Sequence, residues 1–394
     1  MARRGKRVSP REILCGLDIG TTKAACVIGR APLDGGALQL LGQGVVPNRG
    51  VRQGQVVDLE ALVEAIEAAL QAAEQSAGRR VHQAFVSVSA PQVRSLRAKG
   101  AVSILAGGGE IRRKDVERVR LQAQTLSLSL DQELLHTVPI AYAVDDQDGI
   151  SEPIGLFGAK LAVHLHLVVA PAALLQNYGK ACHLAGLDVE DFVAAGWATA
   201  LAVLQPEERS RGALAMDIGG TTSDAVYVQG DRLLHALTLS VGGEGLTEAL
   251  ALRWRVPRER ADVLKRELLT AGSAQAQAVT DVSRELLQSI RQGLVEAWQP
   301  EAMPRTGVVL AGRTSLLDGL VEQTEDVFEA PARLGMPYLA AGRATEETFL
   351  YTTAVGLLEY GRLARTTPID GRPEPRSLPG RLLAKARDLY EEYF

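Results

Sequence analysis

Aromatic side chains are scarce in this sequence, at 4% of residues, so its core must rest on Leu, Val, Ile and Ala. Cysteine is nearly absent. Cys15, Cys26 and Cys182 form no C-x-x-C pair and are odd in number, which reads as buried thiols in a reducing cytoplasm. No charge of one sign dominates: the formal net charge of −4 argues against a general nucleic-acid binder. Long hydrophobic runs are missing too. The longest apolar stretch, residues 161–175, is broken by His164, His166 and Pro171, short of the roughly 18–20 unbroken apolar residues of a spanning helix. The basic start (Arg3, Arg4, Lys6, Arg7) leads into no apolar h-region, so it does not read as a secretory signal.

What is present is an ordinary globular composition, 46% hydrophobic and 23% charged, over 394 residues. That length suits two or more domains. The stretch 212–224 carries the strongest signal. Leu214–Ile218 reads as a buried strand that ends in Asp217 and runs into Gly219-Gly220-Thr221-Thr222. An aspartate at a strand end, followed by glycines and hydroxyls, suits a metal-phosphate ligand. The carboxylate can hold hydrated Mg²⁺, and the turn can aim N–H groups and hydroxyls at an anion. The same design precedes it at Asp18-Ile19-Gly20-Thr21-Thr22-Lys23. Two such turns suggest two related halves with a nucleotide clamped between them.

Along the chain, 13–19, 24–30 and 38–46 read as strands, 59–76 as a helix and 85–89 as a strand. Residues 84–169 then depart from the pattern, with strands at 100–105, 133–144 and 160–169 around a charged helix at 112–125. This reads as a compact α+β unit inserted in the first half. A helix at 172–185 resumes that half, and 188–204 crosses to the second. There, strands at 214–218, 224–229 and 232–240 precede a mostly helical stretch over 243–299. Val308–Gly312 is a buried strand entering a helix, and 348–363 is a helix returning to the first half. Residues 366–380, with Pro368, Pro373, Pro375 and Pro379, read as a linker.

By its motifs the chain resembles the FtsA family, the bacterial cell-division branch of the actin-like ATPases. The resemblance is carried by 16–23 and 217–220, by His136–Asp145 and Pro153–Gly158 in the inserted unit, by Val241-Gly242-Gly243, and by Thr353–Leu358. It implies an α/β actin-like fold of two related halves around a nucleotide cleft. The division it implies is 10–83, first half; 84–169, inserted unit; 170–211, first half and crossing; 212–242, second half; 243–302, helical subdomain; 303–363, second half and closing helix; 364–380, linker; 381–394, membrane-targeting helix. It also implies ATP with Mg²⁺ at Asp18, Gly20, Thr21, Thr22, Lys23, Asp217, Gly219, Gly220, Thr221, Thr222, Asp262, Lys265 and Gly312, with Asp18 and Asp217 facing the metal. Three positions depart from the family. Thr221 replaces a third glycine, Arg313-Thr314 follows Gly312 where the base-side turn has further glycine, and Ala195-Gly196 stands where an acidic-Pro pair positions the attacking water. Loss of such a general base removes about 10²–10⁴-fold. The expectation is weak ATP binding with little or no hydrolysis.

The implied role is to tether the FtsZ ring to the inner face of the cytoplasmic membrane, to recruit later division proteins and to self-associate. The helical span 243–299 is expected to receive the FtsZ C-terminal tail, with Arg258 and Arg260 as its charges. The basic cluster around them otherwise reads as an exposed helix. In 381–394, Leu382, Ala386, Leu389, Tyr390 and Tyr393 recur at helical spacing, flanked by Leu383 and Phe394, as in a helix lying in a membrane interface. His164 and His166 lack further metal ligands and read as a solvated strand face. Alternative readings are a pilus-assembly scaffold and a small-molecule kinase of the same superfamily.

Overall fold

The computed structural model describes residues 12–32, 36–104, 108–267, 272–298, 306–338 and 346–366. The linker beyond 366 and the helix expected at 381–394, with all its apolar positions, lie outside the described residues.

The first half runs β1 (Ile13–Ile19), β2 (Lys23–Arg30), β3 (Gln39–Pro47), β4 (Val51–Arg52), β5 (Gln55–Val56), α1 (Leu59–Ala77) and β6 (Gln83–Val88). There follow β7 (Arg94–Ser103), β8 (Gly109–Glu110), α2 (Arg113–Ser127), β9 (Gln132–Val144), β10 (Gln147–Ile150), β11 (Phe157–Gly158) and β12 (Lys160–Pro171). The chain continues as α3 (Ala172–Leu184), β13 (Asp188–Ala194), α4 (Ala195–Val203) and α5 (Pro206–Arg211). The second half holds β14 (Ala213–Ile218), β15 (Ser223–Gln229), β16 (Arg232–Leu239), α6 (Gly243–Trp254), α7 (Arg258–Leu264) and α8 (Ala274–Trp298). It closes with β17 (Val308–Ala311), a 3-10 turn (Arg313–Leu316), α9 (Leu320–Phe328), β18 (Ala332–Leu334), α10 (Glu346–Leu350) and α11 (Thr352–Thr366).

Local chemistry sets several of these bounds. Asp58 caps α1 by accepting from Ala61 N at 3.0 Å, and Gly78 ends it in the left-handed region at φ 64, the common helix stop. In α8 the buried Val279, Val282, Leu286, Leu287, Ile290, Leu294 and Trp298 make one apolar stripe at helical spacing. β1 is buried along nearly its whole length, as a strand covered on both faces must be. The sequence alone does not resolve the short strands β8, β10, β11 and β18, nor the break between α10 and α11.

Among the described residues the strands form a five-stranded sheet, β13-β6-β1-β2-β3, and a nine-stranded sheet, β10-β9-β12-β7-β16-β15-β14-β17-β18. The first is repeated inside the second. In each half an antiparallel meander (β1-β2-β3; β14-β15-β16) is followed by parallel strands (β6, β13; β17, β18). The repeat signalled by two turns thus extends over both sheets. Two helices cross between them: α4 packs on β14 and β15, and α11 packs on β1 and β6. They meet so closely that a Cβ at Gly356 would stand 1.7 Å from the Ala198 carbonyl oxygen. Only glycine fits there.

The inserted strands extend the second half's sheet, although they leave from the first half. The join is a single ladder pair, Leu237 opposite Arg94, backed by Ser95. Its hydroxyl donates to Ala236 O at 2.9 Å and accepts from Ala236 N at 2.7 Å. This overturns the reading of a solvated face at His166, while His164 on the same face is half-buried. His166 is buried, 2.9 Å from Ser95 Oγ, with its ring edge-on to His235 at 5.4 Å and His235 against Trp298 at 5.3 Å. His235 of β16 covers His166, and Trp298 of α8 backs His235 in turn. Burial, with the charges of His235 and Arg97 added, pushes the His166 pKa down to about 3.

Candidate nucleotide cleft

Each half contributes a strand-turn-strand whose turn faces the other. In the first, Gly20 N donates to Lys23 O at 2.9 Å, and Asn48 Nδ2 fixes Gly20 O at 2.7 Å. Asp18 at the strand end is buried and doubly engaged. Lys23 Nζ lies 2.5 Å from Oδ2, and Ser87 Oγ donates to Oδ1 at 2.7 Å. In the second turn Gly219 N donates to Thr222 O at 2.9 Å. The first N–H groups of α6 hold it from behind: Gly243 N donates to Gly219 O at 2.9 Å and Glu244 N to Gly220 O at 2.8 Å.

The second carboxylate makes no ion pair among the described residues. Asp217 Oδ2 accepts from Thr199 of α4 at 2.8 Å and from Thr353 of α11 at 3.1 Å. Burial raises its pKa and the charge of Asp18 adds to the rise, while the two hydroxyls and the nearby charge of Lys23 oppose it. Asp224, opposite Asp217 in the β14–β15 ladder, is buried as well. It accepts from Thr238 at 2.6 Å and from Ser89 at 2.7 Å. Burial pushes its pKa up to about 7 against those hydrogen bonds.

Between the halves lies a cleft of about 1090 Å³. It brings together Asp18, Gly20, Thr21, Thr22 and Lys23 from one side with Asp217, Gly219, Gly220, Thr222, Asp262, Lys265 and Gly312 from the other. Thr221 reaches Thr21 across it, hydroxyl to hydroxyl at 2.7 Å. Lys265 is not the exposed helix residue its charged neighbours suggest. Its ammonium meets Asp262 at 2.8 Å, Gly243 O at 3.2 Å and the Thr247 hydroxyl. Burial draws its pKa down, with Asp262 opposing. Arg313 also lines the cleft, 3.7 Å from Glu346. Ala195 lines the wall where the crossing segment enters, and a Cβ on Gly196 would stand 3.2 Å from Asp224 Cβ.

Arg258 faces this cleft rather than a separate surface, held by Glu244 at 2.7 Å and Glu248 at 3.7 Å. Arg260 is exposed and lies 3.7 Å from Glu267. Ser87, Ser89, Thr199, Thr353 and Asp224 were not singled out by sequence reasoning, although they set the charge of both turns. The available signals were Ser87 and Ser89 alternating over the stretch 85–89 that reads as a strand in the sequence, and Asp224 in register with Asp217.

The donor set fits a magnesium nucleotide. Hydroxyls and backbone turns face the cleft from both sides, and Asp217 is held by hydroxyls with no ion pair among the described residues. Gly312 (φ 82) leaves the cradle open, since a Cβ there would stand 2.4 Å from Asp217 Oδ1. Magnesium that keeps most of its water needs one or two such carboxylates.

Two halves of repeated topology around such a cleft, with an α+β unit inserted in the first, define an actin-like protein. Solved structures agree on the fold. The PilM–PilN type IV pilus biogenesis complex superposes with a TM-score of 0.65 at 21% identity, covering 90% of this chain and 99% of that one. MreB5 of Spiroplasma citri bound to ADP gives 0.52 at 12% identity, covering 92% and 100%. The profile described as "SHS2 domain inserted in FTSA" matches residues 90–169, and that of "Cell division protein FtsA" matches 214–356. The cell division protein FtsA of Pseudomonas aeruginosa is 34% identical over 90% of both chains, and that of Escherichia coli 28% over 90% of this chain and 92% of its own. The chain belongs to the FtsA family of cell-division proteins, and its role lies in cell division.

Proposed function

We propose that the protein is a division adaptor that binds ATP with Mg²⁺ between its two turns, hydrolyses it weakly or not at all, and tethers FtsZ to the inner face of the membrane. The observation that carries the nucleotide reading is the pair of facing turns with buried carboxylates at both strand ends. Bound magnesium triphosphate supplies positive charge to an acidic wall and negative charge to the turns. Asp217 holds the metal in preference to Asp18, whose oxygens are already taken by Lys23 and Ser87. Thr21, Thr22, Lys23 and Thr222 orient phosphate, while Asp262 and Lys265 stand on the ribose side. Weak turnover is supported by Ala195, which offers no carboxylate to position water. Binding of ADP by the MreB5 relative in fold supports the same cleft.

For the FtsZ tail the helical span 243–299 remains the receptor, but Arg258 is an unsuitable anchor because Glu244 holds it in the cleft. A groove of about 510 Å³ along α8, lined by Arg284, Gln288, Arg291, Val295, Glu296 and Asp326, carries apolar surface and both signs of charge, with Arg284 paired to Asp326 at 3.0 Å and Arg291 to Glu329 at 3.9 Å. Among the described residues no helix is long and apolar enough to cross a membrane, and residues 381–394 are the proposed peripheral anchor. The pilus-scaffold reading rests on shared fold alone, whereas the cell-division relatives match in sequence. Sedimentation with anionic liposomes tests the whole reading. The full chain is expected to carry FtsZ down with the vesicles and a chain lacking 378–394 to leave it in solution. Equal recovery of FtsZ with both would reject the tether.

A further inference from the structure

The most unusual contact in the cleft is between the turns themselves. Thr21 Oγ1 and Thr221 Oγ1 stand 2.7 Å apart although they belong to opposite halves. Gly220 also stands close to the Thr22 side chain: a Cβ there would lie 2.9 Å from Thr22 Cγ2. One layer deeper, Ser89, which follows β6 of the first half, is 3.1 Å from Thr222 Oγ1 and donates to Asp224 Oδ2 at 2.7 Å. Every one of these ties crosses between the halves.

We propose that Thr21 and Thr221 form a hydroxyl latch that ties the two turns together, so that entering phosphate must displace it and Thr221 sets the nucleotide affinity. The inference rests on the nucleotide reading above and names the residue that regulates it. Each hydroxyl carries one hydrogen, so the threonine that donates across the latch has none left for phosphate, and a phosphate that accepts from both hydroxyls must break the bond between them. The present separation is that of one direct hydrogen bond. Latch and phosphate therefore exclude each other between the tips. Threonine is tolerated at 221 because the residue is not among those with positive φ. With glycine there, no side chain would reach Thr21, and closure would depend on the ligand. The adaptor could then keep its closed shape, and any assembly that needs it, whatever the nucleotide supply.

Hydrogen exchange on the full chain, followed by titration with ATP·Mg²⁺, tests the latch. Without nucleotide, the turns at 19–23 and 218–222 are expected to be protected in the native protein and to exchange faster in Thr221→Gly. Thr21→Val, which keeps the volume and removes the other hydroxyl, should loosen them in the same way. Thr221→Gly should bind ATP about three- to tenfold more tightly, the range of one net hydrogen bond. Equal exchange in native and variant proteins would overturn the latch, as would looser turns with unchanged or weaker ATP binding. Those two results leave nucleotide binding itself intact. Failure of both native protein and Thr221→Gly to bind would overturn the nucleotide reading and the gating with it.

Discussion

In the first half the turn carboxylate, Asp18, is met by an ammonium, Lys23 Nζ at 2.5 Å; in the second, Asp217 is met only by hydroxyls, Thr199 at 2.8 Å and Thr353 at 3.1 Å. The strand order around the two is the same, and so is the turn that follows each. What differs is how the buried charge is balanced. Asp18 is neutralised within its own hairpin, by a residue five positions along the chain. Asp217 relies on side chains of α4 and α11, the two helices that cross between the halves. Its pKa is raised, first by burial, with the hydroxyls and the charge of Lys23 opposing. A repeated scaffold thus yields one carboxylate paired within its own turn and one held by hydroxyls from two crossing helices.

Removing the local cation should break this difference most strongly. Lys23→Met leaves the Asp18 carboxylate buried with Ser87 as its donor, and the expected loss is about 2–3 kcal/mol of stability at neutral pH, toward the lower end for a broken buried pair because Lys23 is partly exposed. Urea unfolding measures it. A loss no larger than that of a surface pair would mean that Asp18 is neutralised in another way.

The second half should respond to pH through Asp224. A carboxyl whose pKa is raised by burial from 3.8 to about 7, as for Asp224, contributes stability that is fully present below its unfolded value. That contribution is lost as pH rises through 7. Asp224→Asn is therefore expected to gain roughly 1–2 kcal/mol at pH 8 and to flatten the pH dependence between about 4 and 7. Unfolding curves across that range would contradict the account if the variant followed the native slope.

The smallest effect is expected at Thr199→Val, which removes one of two hydroxyls on Asp217 and should cost about 1 kcal/mol. Thermal unfolding reads the shift. A cost equal to that of Lys23→Met would erase the distinction between the turns.

Much of this plan was legible in the chain because its signals are local. Asp18 and Asp217 each end an apolar strand and precede glycine and threonine, and the capping Asp58 and terminating Gly78 bracket α1 in the sequence itself. The partners of the carboxylates were not legible, because Ser87 and Ser89 come to Asp18 and Asp224 from distant segments. Alternation in β12 marked His166 as polar but could not reveal that His235 of β16 covers it. Arg258 carried the right charge for an acidic peptide, yet its direction depended on Glu244 at the start of α6. Periodicity gives the face a residue occupies; what covers that face is a tertiary fact.

The central claim is that nucleotide enters between two unlike turns and that Asp217 holds its metal. Isothermal titration of the full chain and of Asp217→Asn with ATP, with and without Mg²⁺, tests it most directly. Binding by the native chain that strengthens with Mg²⁺, and loss of that magnesium dependence in Asp217→Asn, is the predicted result. Binding that ignores Mg²⁺ in both proteins would contradict it.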